Sequence, residues 1–323
     1  MSLASLADFH SFMTNSSAQL QRHVELLAAE TMWTYRGAKQ SNSEPAAWAA
    51  LALSQWDAVE AARKPALWLA GLQQTDGSVG ISAAEREPRW PTALAILAWS
   101  TVDGWAEVPQ FRDHIDNAVA WALANHGKPA PKSPEVGHDT TLLGWSWAAD
   151  THSWLEPTAM FVLALKAVGK GQHPRCREGV LLLHDRLLPD GGANYGNTFV
   201  FGQELVPHVQ PTGLAILALA GEEDADGRIA KSVDYLTKKA TGELATDSLS
   251  YALMGLAAHN RSPTEAPTWI ERRLDRSAEE SASPLSVYDR ALLLAAAKRP
   301  SWKTSGSLPA SGRGPKGSRA SPT

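Results

Sequence analysis

The chain has 323 residues, 44% hydrophobic and 20% charged, which is the composition of a globular protein and excludes a fibrous or low-complexity one. A formal net charge of -4 leaves no electrostatic footprint for nucleic acid. Cys176 is the sole cysteine, so no disulfide can close within the chain, which suits a reducing, cytoplasmic compartment. The N-terminal M-S-L-A-S-L-A-D-F-H lacks the basic and apolar regions of a secretory signal. The apolar runs are too short to span a bilayer, so peripheral contact is the most a membrane would receive.

In chain order, residues 1–16 read as a weak helix or a loose arm. Ser17 opens a better helix, with Leu20, Val24, Leu26 and Leu27 as its stripe. Pro45 to Gln55 is an apolar helix. Val59 to Leu72 is a second helix type, with Lys64 and Pro65 marking its start or a break. Asp76-Gly77 signals a turn, and Pro91 to Ser100 is the next apolar helix. Gln110 to Asn125 is amphipathic, with Phe111, Ile115, Val119 and Leu123 four residues apart.

His126 to Gly144 is the longest connection, and such loops tend to carry function. Cys176 to Leu188 is amphipathic and stops at P-D-G-G. Ala193 to Gln210 is a second long loop, followed by an apolar helix from Pro211. A charged turn from Glu222, read as solvated, leads to an outer helix marked by Ile229, Val233 and Leu236. An apolar helix to about His259, a charged one at Thr268 to Arg276 and a last one at Ser286 to Lys298 follow. Residues 301–323, rich in Ser, Gly, Pro and basic residues, read as a disordered tail.

The apolar helices share one design. S-W-L-E-P-T-A-M-F-V-L-A-L-K at Ser153 to Lys166 is echoed by E-P-A-A-W-A-A-L-A-L from Glu44, W-P-T-A-L-A-I-L-A-W from Trp90 and Q-P-T-G-L-A-I-L-A-L from Gln210. Weaker copies start at Asp247 and Ser286. Pro suits the first helical turn, where its missing N–H has no partner anyway. A helix apolar on all sides must be buried on all sides. Six buried helices alternating with striped ones imply a repeat architecture in two concentric layers. The expected fold is all-α, an (α/α)6 barrel over residues 17–300.

These residues resemble the terpenoid cyclase/protein prenyltransferase toroid family. Q-Q-T-D-G-S at Gln73 to Ser78 and P-D-G-G-A-N-Y-G-N at Pro189 to Asn197 carry the likeness. In the family's repeat a Trp follows; here Val79 and Ala193 take its place. The resemblance implies a toroid acting on an isoprenoid. The class II cyclases carry D-x-D-D-T-A at a helix start, and on this chain Glu156 falls on the middle acid and Thr158-Ala159 on the Thr-Ala. Glu156 is thereby implied as proton donor; otherwise it is a helix-start carboxylate. Asp139, beside His138, is a second candidate acid, with a capping role as the alternative.

Trp90, Trp145, Trp147 and Trp154 lie at or just before apolar helix starts. With Tyr195 and Phe199 they would line an isoprenoid site and stabilise a carbocation, unless they fill the core. The prenyltransferases of the family hold zinc through Asp, Cys and His, but Cys176 has no Asp two residues before it, so no metal or other cofactor is expected. The Gly-Cys-Gly-Glu-Gln thioester of complement-type toroids is missing. Three functions fit: an isoprenoid cyclase-like enzyme, a non-catalytic toroid binding a lipid, peptide or protein, and a carbohydrate-active barrel. The last needs two opposed carboxylates, and Glu44 and Glu156 are the matched pair.

Overall fold

The computed structural model describes residues 18–275 and 285–299, so the expected arm at 1–16 and tail at 301–323 lie outside the described residues. A helix over 18–29, α1, precedes α2 (Ser43–Gln55), α3 (Val59–Ala70), α4 (Pro91–Trp105), α5 (Arg112–Ala124) and α6 (Leu155–Ala167). Then follow α7 (Pro174–Asp185), a hairpin of β1 (Phe199–Val200) and β2 (Gln203–Glu204), α8 (Val209–Ala218), α9 (Arg228–Lys239), α10 (Thr246–Ala258), α11 (Ala266–Asp275) and α12 (Val287–Ala296).

The even-numbered helices are the apolar repeats and form the inner ring. Each touches the next, α2 to α4, α6, α8, α10 and α12, and α12 returns to α2, closing the circle. The odd-numbered helices from α3 on lie outside, α5 on α4, α7 on α6 and α9 on α8 and α10. In α6 every residue from Leu155 to Lys166 is buried, while the outer α9 buries only Ile229, Ser232, Val233 and Leu236. The two-layer pattern of the sequence is the pattern of burial.

Each outer helix returns the chain, so the inner helices start at one rim. Near those starts Trp48 of α2 meets Tyr251 of α10 edge-on at 5.7 Å, with α12 between those helices in the circle. Two glycines set the spacing of α8 and α10. A Cβ at Gly213 would lie 2.5 Å from the carbonyl carbon of Tyr251, and one at Gly255 would lie 2.7 Å from the oxygen of Gly213. Backbone meets backbone at that point, beside the buried Tyr251.

The turns with Asp-Gly serve packing between outer helices. Gly77 (φ +93°) sits where a Cβ would come within 2.3 Å of the Asn117 oxygen on α5, and Gly191 (φ +97°) stands likewise against Lys231 on α9. Only Gly fits both the left-handed φ and the close approach. Pro65 departs from expectation. It neither starts nor breaks α3 but lies buried inside it, and α3 runs on to Ala70.

The turn at Glu222 also differs from the solvated one expected. Glu222 pairs with Lys166 of α6 at 2.5 Å and Arg177 of α7 at 2.7 Å, and both it and Lys166 are mostly buried. Asp224 accepts the first N–H groups of α9, from Ile229 and Ala230. Among the described residues no helix is long and apolar enough to cross a membrane.

Gly213→Ala should cost about 1–3 kcal/mol or more in a urea melt, since the clash is with backbone. Gly104→Ala, with nothing within 4 Å of the added carbon, should be neutral or slightly stabilising. Leu163→Asp or Leu217→Asp, at positions 4% and 3% exposed, should abolish the cooperative thermal transition by stranding a charge.

Candidate functional site

The rim gathers what stands just before the helix-start Pro position in each repeat. Around the ring these residues are Glu44, Trp90, Glu156, Gln210, Asp247 and Ser286. Carboxylates therefore occupy alternate inner helices, α2, α6 and α10. Preceding loops close over them. In three repeats the Thr after the Pro accepts the N–H of a loop residue: Thr92 from Val79 (2.9 Å), Thr158 from Trp145 (3.0 Å) and Thr212 from Ala193 (2.8 Å). These bonds pin each loop across a helix start.

Glu156 is 7% exposed and accepts a hydrogen bond from Gln210 Nε2 at 3.2 Å. Burial, then the charges of Glu44 and Asp247, raise its pKa to about 7. The positive end of α6 favours the anion, but desolvation prevails. Glu44 accepts hydrogen bonds on both oxygens, from the Tyr35 hydroxyl and from Tyr288 Oη at 3.1 Å. Part of its side chain remains accessible, yet burial still pushes its pKa up against those two bonds. Tyr35 and Tyr288 also meet ring to ring, with centroids 5.1 Å apart.

Burial and Glu44 raise the Tyr251 pKa, with Tyr288 and Trp48 as its polar neighbours. Tyr195, 40% exposed, stands at the mouth 5.2 Å from the His208 ring, and its pKa is raised by burial, then by Glu156 and Asp247. The rim is thus a compact cluster of three carboxylates, four tyrosines and an amide. It can hold a proton on Glu156 near neutral pH and offer hydroxyl and carboxylate partners to a polar ligand.

The residues expected from the sequence are divided among several places. Glu156 and Tyr195 share the rim. Trp90 and Trp147 meet edge-on at 5.0 Å and line a cavity of about 320 Å³ beside the start of α4, with Trp121 and Phe161. Trp145 is 2% exposed and lies between the layers: it stacks on Phe161, donates Nε1–H to the Ala122 oxygen and carries the Arg175 guanidinium at 4.3 Å. Trp154 faces another cavity with His152.

Phe199 forms part of the hairpin, whose turn residues Phe201 and Gly202 are both left-handed. Asp139 is not brought to Glu156. Its carboxylate accepts bonds from the Thr141 N–H and hydroxyl and pairs with Lys132, which hold its pKa down at about 2. It therefore stays ionised and closes a turn rather than capping a helix.

Tyr35, Tyr251 and Tyr288 left no sequence signal, because their contacts depend on packing: Tyr35 reaches Glu44 from the loop nine residues before it, and Tyr288 from 244 residues away. Gln210 and Asp247 were findable by aligning the repeat starts. Among the described residues His184, Asp224 and Asp226 lie close enough to share an ion. Arg228 already holds Asp226 at 2.6 Å and approaches His184, so a cation stands there already. Cys176 is buried on α7, and its thiol pKa is pushed up to about 11 by that burial, which suits a packing residue.

No protein-family model matches the chain, and no curated protein matches its sequence significantly. Solved structures do match its fold. One, a glycosidase variant, superimposes with a TM-score of 0.55 over 92% of this chain and 98% of its own, at 12% identity. Another, an alpha-2-macroglobulin fragment from Escherichia coli, gives a TM-score of 0.50 over 86% of this chain and 41% of its own, at 14% identity. At such identities the likeness is one of α/α toroid-like fold alone. The finer resemblance to terpenoid cyclases has no support from family models or curated relatives.

A pH-dependent prediction follows from Glu156. Its folded pKa of about 7 lies above the unfolded 4.5, so the stability tied to its proton is fully present below 4.5 and is lost as pH rises to about 7. Glu156→Gln should remove that slope. It should leave the variant up to about 3 kcal/mol more stable than wild type at about pH 8, read from urea melts across the pH range.

Proposed function

We propose that the chain is an acid–base enzyme acting on a carbohydrate or similar polyol at this rim, with Glu156 as the proton donor. The observation that carries the reading is the set of three carboxylates on alternate inner helices, with Glu156 buried and poised to keep its proton near neutral pH. A glycosidic oxygen needs a proton as its C–O bond breaks, and a second carboxylate must assist the attacking water or carbon centre. Glu44, oriented by Tyr35 and Tyr288, is the second carboxylate. Tyr195 offers an aromatic face at the mouth. A glycosidase is among the proteins of similar fold.

A second reading, an isoprenoid ligand or substrate, draws on the Trp90–Trp147 cavity, whose indoles suit an apolar chain or a cation. On that reading a toroid without catalysis would bind its ligand there, beside and not at Glu156.

One assay separates the two. Wild type and Glu156→Gln are compared on a panel of oligosaccharides and polyprenyl substrates, with melting temperature as the control for fold. The acid–base reading expects sugar hydrolysis by wild type that falls as pH rises through about 7, and a loss of about 10²–10⁴-fold in the variant. Equal rates would remove Glu156 from the chemistry. Turnover or binding confined to the polyprenyl compounds would favour the second reading.

A further inference from the structure

A cavity of about 340 Å³ lies apart from the rim, walled by the 128–142 loop, the residues before α6, the end of α7 and the hairpin. Neither Glu44, Glu156 nor Asp247 lines it. Its size falls within the range of small-molecule sites. Backbone pairing frames it: Val136 and Val200 form an antiparallel bridge, and Gly137 donates its N–H to the Phe199 oxygen at 3.1 Å.

Its walls differ in chemistry. One is aromatic, the His152 and Trp154 rings lying 4.5 Å apart. Val136, Leu142 and Val200 supply an apolar surface. The charged lining is cationic, through Lys128 and Arg186, with His138, Thr140, Ser153 and Asn197 as further polar groups, and no Asp or Glu lines the cavity among the described residues.

Buried donors there lack partners. Arg186 is 3% exposed. Its terminal nitrogens bond the Asp185 carboxylate and the Asp139 carbonyl, but its Nε has no partner. His138 Nδ1 is also buried without one. The ring is neutral, because burial and then Arg186 push its pKa down to about 4, so it keeps one N–H and one lone pair. Buried polar groups in folded proteins are almost always satisfied, and those left over beside a cavity point to what the cavity takes. Asp185 pairs with a terminal nitrogen of Arg186 and leaves its Nε free, and Asp139 is held by Lys132 and Thr141.

We propose that this cavity binds a small organic carboxylate. Its planar or apolar body lies along Trp154 and the Val136–Val200 wall, and its oxyanion is met by Arg186, His138 and Lys128. The site is independent of the acid–base reading of the rim.

Isothermal titration with benzoate tests it, with benzamide as the uncharged counterpart and inorganic phosphate as an anion without an apolar body. Benzoate should bind with a Kd below about 1 mM, and both other probes at least about tenfold more weakly. Lys128 is exposed, so Lys128→Glu should fold normally and weaken benzoate about tenfold or more. Glu156→Gln should bind benzoate like wild type. The proposal is overturned if benzoate fails to bind at about 1 mM, if benzamide or phosphate binds as well as benzoate, or if Lys128→Glu has no effect. Loss of benzoate binding in Glu156→Gln would place the ligand at the rim and overturn it equally.

Discussion

The hydrogen bond from a loop N–H to the Thr of a Pro-Thr helix start organises this molecule. It appears in three inner helices, between Thr92 and Val79, Thr158 and Trp145, and Thr212 and Ala193. Each N–H is buried beside an apolar helix and would otherwise be unsatisfied at a cost of roughly 1–3 kcal/mol. At Val79 and Ala193 the loop is held by a threonine hydroxyl. In α2 Ala46 stands at the Thr position, and Ser43 makes a different bond, donating to the Gly80 oxygen of the loop before α4 at 2.6 Å.

Fastening the loops in this way carries polar residues into an enclosed rim. Glu156 follows Trp154 and Leu155, whose N–H groups bond the oxygens of Trp145 and Tyr195. That enclosure removes water from Glu156, and desolvation then outweighs the favourable pole of α6. The same carboxyl on an open helix start would be an ordinary anion. Burial by the loops is therefore what turns a helix-start residue into a candidate proton donor.

The ring interior imposes the complementary constraint. Gly213 and Gly255 let α8 and α10 approach until backbone meets backbone, and Tyr251 of α10 packs edge-on against Trp48 of α2. Aromatic residues near helix starts are divided: Trp145 joins the two layers and lines one cavity with Trp90 and Trp147, and Trp154 borders another.

The sequence by itself determined the all-α class, the number and order of inner helices and the two-layer burial, because these follow from local periodicity and from a repeated Pro-started apolar segment. It also marked Glu156 and Glu44, since both stand in the same slot of aligned repeats. It left open which aromatics meet, and it placed Asp139 beside the chemistry, where the fold instead ties that carboxylate to Lys132 and Thr141. The contact of Tyr288 with Glu44 was decided only by ring closure, that of Gln210 with Glu156 by the packing of α8 on α6, and that of Tyr35 with Glu44 by the path of the loop before α2. Tyr288 lies 244 residues from Glu44 in the chain, and they meet because α12 packs back on α2. A periodic pattern specifies which face of a helix is buried. The partner of a polar side chain across a closed ring depends on where six helices end in space, and that is a property of the packed tertiary structure alone.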